Sequence, residues 1–294
     1  MDILKIQGLQ KRFGTKEVLK DVNLSVCEHS IFGFIGTNGA GKTTTMKTIL
    51  GLIQADAGTI EVAGEKVCYG QNKTNQYIGY LPDVPEFYDF MTPREYLNFC
   101  GKITGMSTSQ IQDRTEELLH LVGLQNEKKR IKGFSRGMKQ RLGIAQALFN
   151  KPKLLICDEP TSALDPVGRK EILDILQNAR KETTILFSTH ILSDVERICT
   201  DIAFLKDGKI CQFDEVKNKN QEQTFQLELK NEADMRKVLD AFVEMKRKDD
   251  TILVFSECQL HSVLTFLLEN SIPFNKLERM EPTLESLFME VAQS

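Results

Sequence analysis

Two kinds of hydrophobic pattern follow each other in the first two thirds of the chain. Apolar and polar residues alternate over residues 3–9 and 22–26, which predicts two half-buried strands of an antiparallel sheet. Short apolar runs predict buried strands at residues 31–35, 78–81, 153–159 and 184–187, the third of these ending in two carboxylates. This part of the chain therefore combines antiparallel strands with a buried sheet of the α/β type.

Capping patterns predict helices between these strands. Thr92-Pro93-Arg94-Glu95 forms a capping box with proline at the first helical position, and Gly123 ends a second helix. Ser135 is placed to cap a third helix. Residues 91–150 are therefore expected to form a helical insertion within an α/β plan. Two further helices are expected to begin at Asp165-Pro166 and at a capping box that starts with Ser193.

A polar, lysine-rich stretch separates a second unit from the first. Residues 217–223 have the composition of a linker, so we expect one domain over residues 1–216 and another over residues 224–294. Beyond the linker, the alternation of Phe225, Leu227 and Leu229 predicts a strand, and Asn231 is placed to cap a helix. A final helix is expected at residues 284–291. The second domain is therefore predicted to be a small α+β unit.

The composition narrows the class of protein. Hydrophobic content of 41% and charged content of 27% in 294 residues are typical of a globular protein, and a net charge of −3 gives no support for nucleic-acid binding. Seven cysteines without a C-x-x-C pair indicate reduced thiols in a cytosolic protein. No apolar run approaches the ~18–20 residues needed to span a bilayer, and the N-terminus does not have the pattern of a signal peptide. Any membrane role is therefore expected to come through a partner.

The glycine-rich stretch at residues 36–44 lies between a predicted buried strand and a predicted helix that includes residues 45–50. It has the form G-x-x-x-x-G-K-T, which in this context predicts a phosphate-binding loop. Its glycines let successive backbone N–H groups point at a phosphate, and the helix N-terminus adds a partial positive charge. We expect Lys42 to reach the β- and γ-phosphates and Thr43 to coordinate Mg²⁺. The residues predicted to bind a nucleoside triphosphate here are Gly36, Asn38, Gly39, Ala40, Gly41, Lys42, Thr43 and Thr44.

Two adjacent carboxylates end the third apolar run. Because ligands bind at the carboxyl ends of parallel strands, Asp158 is expected to hold Mg²⁺, directly or through water. Glu159 is placed to orient and deprotonate an attacking water. His190 follows the fourth apolar run and is expected beside the same sheet edge. Phe13, in a turn between the first two strands, is either a core residue or a flat surface for an adenine ring, and its position alone does not choose between them.

These motifs, together with residues 134–138, resemble the ATP-binding subunit of an ABC transporter over roughly the first 215 residues. The resemblance identifies residues 36–44 as the Walker A motif, 154–159 as Walker B, 162–165 as the D-loop and His190 as the switch histidine. It implies a P-loop NTPase fold of the ABC type. That fold is α/β, with a mixed sheet core, an antiparallel β subdomain and a helical insertion, here followed by the small C-terminal α+β domain. It also implies that Phe13 stacks on adenine and that Lys42 and His190 act in catalysis with Glu159.

The family binds ATP between two subunits arranged head to tail. Ser135 and Gly137 of one subunit would then cover the γ-phosphate held by the Walker A motif of the other. The implied activity is the hydrolysis of ATP, with Mg²⁺, to ADP and phosphate, which drives a separate integral membrane permease. The implied partners are this permease and a second ATP-binding subunit, identical or related, and no nucleic acid. The resemblance also implies that the protein is located at the cytoplasmic face of the cell membrane, to which it is bound through the permease.

Two motifs depart from the common family pattern. The signature is L-S-G-G-Q in the family, and here Arg136 replaces its first glycine and Met138 its glutamine. Asp83 replaces the Q-loop glutamine; a carboxylate can approach Mg²⁺ but lacks the amide's donor. Both variants resemble the ABC-2 type exporter branch, in which a serine–basic–glycine–methionine signature and an acidic Q-loop position recur. Within that branch, the chain is similar to bacitracin- or lantibiotic-type peptide export or immunity systems and to drug exporters.

Two other classes of protein share part of this pattern. Non-transport ABC ATPases act on ribosomes or DNA, but the former typically carry two cassettes in tandem and the latter insert long coiled coils. This chain has one Walker A motif and no heptad tract. A small-molecule P-loop kinase would not explain the signature segment. The exporter subunit is therefore the favoured prediction.

Overall fold

The buried apolar runs form the parallel strands of one sheet, and the alternating segments form a separate antiparallel sheet. The computed structural model describes residues 1–212, 224–242, 244–280 and residue 284, and the chain divides into two units, Met1–Phe213 and Asp214–Ser294. No helix within these described ranges is long and apolar enough to cross a bilayer.

The N-terminal unit alternates strands and helices. Its strands are β1 (Asp2–Phe13), β2 (Lys16–Cys27), β3 (Ile31–Ile35), β4 (Ala57–Val62), β5 (Glu65–Lys66), β6 (Ile78–Leu81), β7 (Leu154–Asp158), β8 (Thr184–Thr189), β9 (Asp201–Lys206) and β10 (Lys209–Gln212). Its helices are α1 (Lys42–Ile49), α2 (Pro93–Ile103), α3 (Thr108–Leu121), α4 (Arg136–Leu148), α5 (Pro166–Ala179) and α6 (Leu192–Ile198).

The antiparallel sheet has the strand order β2-β1-β4-β5, which confirms the two strands predicted from alternation. Its inward side chains pack into one core with residues of the larger sheet. Leu4, Ile6, Leu9 and Val22 are buried in this core with Phe34. The alternation is interrupted where the pairing of β1 is irregular, so Ile3 and Leu4 are both buried although they are adjacent, and Phe13 at the end of the strand is exposed.

The larger sheet has the order β10-β9-β3-β8-β7-β6 and is parallel except at the β9–β10 hairpin. In this register Ile35 of β3 lies opposite Thr189 of β8, and Asp158 of β7 lies opposite Ser188. The carboxyl ends of β3, β6, β7 and β8 therefore lie at one edge. Ligands of α/β proteins bind at such an edge.

Helices α2, α3 and α4 form the helical insertion. Thr92 accepts the backbone N–H of Glu95, while the Glu95 side chain accepts the N–H of Thr92, which confirms the predicted capping box. Gly123 follows α3 in a left-handed conformation with φ of 66°, and Ser135 caps α4 by accepting the N–H of Met138. These local signals set the ends of the helices.

The capping box predicted at Ser193 is wrong. Helix α6 begins at Leu192, so Ser193 lies inside its first turn, and Ile191 occupies the cap position without a side-chain hydrogen bond. The Thr189 hydroxyl instead accepts the N–H of Ile191 at 2.9 Å. This bond turns the chain into the helix before Ser193 is reached.

The C-terminal unit has a four-stranded antiparallel sheet and two helices in its described part. The elements are β11 (Thr224–Leu229), α7 (Glu232–Ala241), β12 (Lys246–Arg247), β13 (Ile252–Ser256), α8 (Leu260–Glu269) and β14 (Phe274–Met280). The strand order is β12-β13-β11-β14, and the Asn231 side chain caps α7 as predicted, accepting the N–H of Asp234. The predicted linker at 217–223 and, apart from residue 284, the predicted helix at 284–291 lie outside the described residues.

Candidate functional site

The loop between β3 and α1 has a backbone that glycine alone suits. Gly39 and Gly41 have φ values of +83° and +112°, a region that disfavours other residues. A Cβ atom at Gly36 would lie 2.6 Å from the carbonyl oxygen of Leu205, and one at Gly41 would lie 2.8 Å from Leu19 Cδ2. Helix α1 begins at Lys42, before the residues at which it was predicted, because Gly41 supplies the turn into it.

The Lys42 side chain lies inside the curve of this loop. Its ammonium group donates to the carbonyl oxygens of Gly36 at 2.7 Å and Thr37 at 3.3 Å, and the side chain is only 6% exposed. Nζ also lies 3.1 Å from Oε1 of Glu159, an ion pair that does not have hydrogen-bond geometry. A buried positive charge is therefore fixed between the glycine loop and the end of β7.

Thr43 and Asp158 meet across the sheet edge. Thr43 Oγ1 donates to Asp158 Oδ2 at 2.7 Å, and Ser188 Oγ donates to Asp158 Oδ1 at 2.8 Å. A hydroxyl and a carboxylate at this distance are the hard oxygen donors that Mg²⁺ takes in sites where phosphates and water complete its shell. No cluster of three or more acidic, histidine or cysteine ligands that could hold a metal ion occurs in the described part of the chain.

Ser188 is a site residue that the sequence reasoning missed. Besides holding Asp158, its Oγ accepts the backbone N–H of Glu159 at 3.0 Å, so one hydroxyl fixes two consecutive residues of the Walker B segment. Its signal in the sequence is its place two residues before His190, at the end of a predicted buried strand. Parallel pairing with the carboxylate strand was needed to recognise it.

Glu159 joins the glycine loop to the end of β8. Its Oε2 lies 2.8 Å from Nδ1 of His190; an ionised carboxylate only accepts, so Nδ1 carries the proton in this contact. The side chain is 14% exposed and the backbone has φ of 49°, a left-handed conformation that costs free energy in a residue other than glycine. The contacts with Lys42 and His190 hold the carboxylate at the cleft.

A cleft of about 520 Å³ connects these groups. Phe13 stands at its rim with 49% of the residue exposed, which excludes the core alternative and leaves a flat surface open to a ligand. Lys11 Nζ lies 5.2 Å from the ring centroid. The residues that line the cleft are Phe13, Val18, Asn38, Gly39, Gly41, Lys42, Thr43, Thr44, Asp83, Asp158 and Glu159.

Some of the predicted residues do not line this cleft. Ser135 and Gly137, at the start of α4, are not among its lining residues, and neither are Gly36, Ala40 and His190. The carbonyl oxygen of Gly36 accepts a hydrogen bond from the cleft residue Lys42, and Nδ1 of His190 contacts the cleft residue Glu159. Ser135 is exposed, and its hydroxyl accepts the N–H of Met138 at 3.2 Å.

A phosphate-binding loop, a buried lysine and paired carboxylates at the end of a parallel sheet define a P-loop nucleoside triphosphatase. Comparisons with known proteins give the family. Residues 19–162 match the ABC transporter family. A solved structure described as the ATP-binding subunit of an ABC transporter covers 74% of this chain and 92% of its own, with 31% identity and a TM-score of 0.66.

Three relatives extend the match. An uncharacterized ABC transporter ATP-binding protein of Bacillus subtilis (strain 168), YxlF, is 37% identical over 99% of this chain and 100% of its own. The bacitracin transport ATP-binding protein BcrA of Bacillus licheniformis is 38% identical over 98% and 97%. The lantibiotic transport ATP-binding protein SrtF of Streptococcus pyogenes is 40% identical over 71% and 89%.

The chain belongs to the ATP-binding proteins of ABC transporters, which confirms the resemblance, the cassette fold and the ATPase activity expected from it. It hydrolyses ATP to drive transport, and subunits of this family work with membrane permeases.

Proposed function

We propose that this chain powers an ABC-2 type exporter of an antimicrobial peptide, a drug or a similar amphiphile. The observation that carries the proposal is the match to BcrA over 98% of this chain, which includes the C-terminal unit beyond the ATP-binding cassette. The name of SrtF agrees with the same class of substrate. The Arg136 and Asp83 variants, which resemble that exporter branch, point in the same direction.

The geometry supports a role for each site residue. The amides of residues 36–44 and the ammonium group of Lys42 bind the phosphates, and Phe13 stacks on adenine. Thr43 and Asp158 would hold Mg²⁺, which would neutralise charge on the phosphates. Glu159 takes a proton from the attacking water, while the contact with His190 Nδ1 keeps its carboxylate in place.

A second ATP-binding subunit completes the proposed site. Ser135 and Gly137 do not line the cleft of their own subunit, and Ser135 is exposed at the N-terminus of α4; their backbone amides would cover the γ-phosphate of another subunit. ATP then joins the two subunits and hydrolysis releases them, which is a two-state element controlled by a γ-phosphate. A second copy of this chain or a related subunit fills this place.

An aromatic surface in the segment that precedes the helical insertion suits the permease. Val84, Tyr88 and Phe90 are each more than half exposed, although they are large and apolar. Tyr88 packs edge-on against Phe99 of α2, with ring centroids 5.6 Å apart, so this surface rests on a helix. It provides an apolar binding surface for a helix of the permease. This contact would hold the chain at the cytoplasmic face of the membrane.

Purification with the membrane partner tests this function. The full chain, expressed with a candidate permease and extracted in mild detergent, is expected to copurify with it and to show ATPase activity that responds to the exported peptide. Phe90→Asp should abolish copurification and leave ATP binding by the isolated chain unchanged. Recovery of the wild-type chain with ribosomes or DNA instead of membranes would contradict the proposal and support a non-transport ATPase.

A further inference from the structure

Two of the residues that depart from the family pattern, Asp83 and Arg136, contact each other. Asp83 follows β6, and Arg136 is the first residue of α4. Arg136 Nη2 donates to Asp83 Oδ1 at 3.2 Å and to the Ser162 hydroxyl, also at 3.2 Å. Ser162 Oγ donates to the same Asp83 oxygen at 2.6 Å. Three segments that are distant in sequence therefore meet at one carboxylate oxygen.

Helix α4 also holds the backbone of Asp83. Gln140, which is fully buried one turn into the helix, donates its side-chain amide to the carbonyl oxygen of Asp83 at 2.8 Å. The first two turns of α4 thus bind Asp83 through both its main chain and its side chain. The position of the carboxylate is set by a helix and not by the loop alone.

The charge of Asp83 has consequences for an anionic ligand. Asp83, Asp158 and Glu159 all line the same cleft, so three carboxylates face the place of a triphosphate. Glu159 lies 3.1 Å from the ammonium group of Lys42 and 2.8 Å from Nδ1 of His190, and Asp158 accepts two hydroxyl groups. For Asp83, the ion-pair partner among the described residues is Arg136. The common family pattern has a neutral amide and a glycine at these two positions, whereas this chain has an acid and a base.

We propose that Arg136 is a positioning residue for the ATP site, which compensates the charge of Asp83 and holds its carboxylate away from the phosphates. The pair then acts as one neutral unit at the rim of the cleft. Without Arg136, the carboxylate would repel the triphosphate. This inference rests on the proposed ATP site in the cleft.

A double-mutant cycle on the full chain tests the pair. The measurement is the Kd of a non-hydrolysable ATP analogue with Mg²⁺, at a protein concentration at which the chain is monomeric. Arg136→Met is expected to raise this Kd by about 3–10-fold, because one uncompensated charge faces a multiply charged ligand through water. Asp83→Asn combined with Arg136→Met is expected to return it to within about 2-fold of wild type, since the repulsion is removed.

Two variants separate charge from structure. Arg136→Lys keeps the charge and should stay close to the wild-type Kd. Lys139→Met removes a positive charge from the same helix, where Lys139 pairs with Asp89 at 3.6 Å away from the cleft lining, and should leave the Kd unchanged. The loss in Arg136→Met should also shrink in concentrated salt, which screens exposed charges.

Each remaining outcome decides against the inference. If the double variant binds as weakly as Arg136→Met, Arg136 acts on the phosphates by itself and the pair is not a unit. If Arg136→Met binds like wild type, Asp83 needs no compensation. Failure of the wild-type chain to bind the analogue would instead refute the proposed ATP site, so the two proposals fail in different ways.

Discussion

Replacing Glu159 by glutamine is expected to separate ATP binding from ATP hydrolysis. The amide has nearly the shape of the carboxylate but cannot take a proton from water. The amide oxygen can still accept a hydrogen bond from Nδ1 of His190. In the wild-type chain, Nδ1 lies 2.8 Å from Oε2 of Glu159. The geometry of the site is therefore expected to survive, while the proposed general base is lost.

The usual contribution of a general base sets the expected loss of turnover, and the contact with Lys42 sets the expected effect on affinity. Removal of a general base lowers turnover by about 10²–10⁴-fold, which corresponds to about 2.7–5.5 kcal/mol of lost transition-state stabilisation. The substitution also removes the negative charge that lies 3.1 Å from Lys42 Nζ. Since that charge faces the phosphates, ATP affinity should stay the same or increase.

Two assays on the same purified chain check this. Phosphate release gives the turnover, and equilibrium binding of labelled ATP gives the affinity. Glu171→Gln is the matched control, because it makes the same chemical change on the exposed face of α5, where Glu171 lies 3.7 Å from Arg141, and it should keep wild-type turnover. Near-normal hydrolysis by Glu159→Gln would show that another group activates the water.

Three further changes have defined outcomes. Ser135→Arg should abolish steady-state ATPase activity and leave ATP binding by the monomer intact; equal loss of both in these assays would argue against a site shared by two subunits. Burial raises the pKa of the Asp194 carboxyl, and Thr161 and nearby positively charged groups offset part of this rise. Because the pKa is higher in the folded than in the unfolded state, ionisation of Asp194 at neutral pH opposes folding. Asp194→Asn should therefore raise the Tm at neutral pH, and this gain should disappear in acid, where both states of the wild type are protonated; an equal gain at both pH values would refute the electrostatic reason. Gly41→Ala should lower the Tm and abolish ATP binding, because its Cβ would lie 2.8 Å from Leu19 Cδ2 at a φ of +112°; Gly64→Ala, with φ of +80° and no atom near its Cβ, is the control for backbone strain alone.

Local signals predicted the elements, and pairing between distant strands decided the site. The glycine loop could be recognised because strand, loop and helix are continuous in the sequence and each has its own pattern. The same holds for the helices capped by Thr92 and Ser135. At Ser193 the local pattern was misleading, since Thr189 makes a competing hydrogen bond to the backbone just before it. Capping patterns do not include such a competitor.

The role of Ser188 shows why the rest could not be predicted from periodicity. Ser188 and Asp158 are 30 residues apart, and their contact exists because β7 and β8 are parallel neighbours in one particular register. A shift by one residue would turn each side chain to the opposite face of the sheet. Hydrophobic patterns identify a buried strand, but they do not state which strand lies beside it.

The Asp83–Arg136 contact joins two residues that are 53 positions apart in the sequence, so periodicity could not predict it either. Each residue, taken alone, departs from a motif and weakens the prediction made from it. Placed together, they replace a neutral pair by an acid and a base at the same point of the site. Val84, the first exposed residue of the aromatic surface, directly follows Asp83 in the chain. A permease that binds this surface would therefore contact the segment that contains Asp83, whose carboxylate is bound by Arg136 of α4. We therefore expect the Asp83–Arg136 ion pair to contribute most to the coupling between permease docking and ATP binding. Both residues differ from the common family pattern.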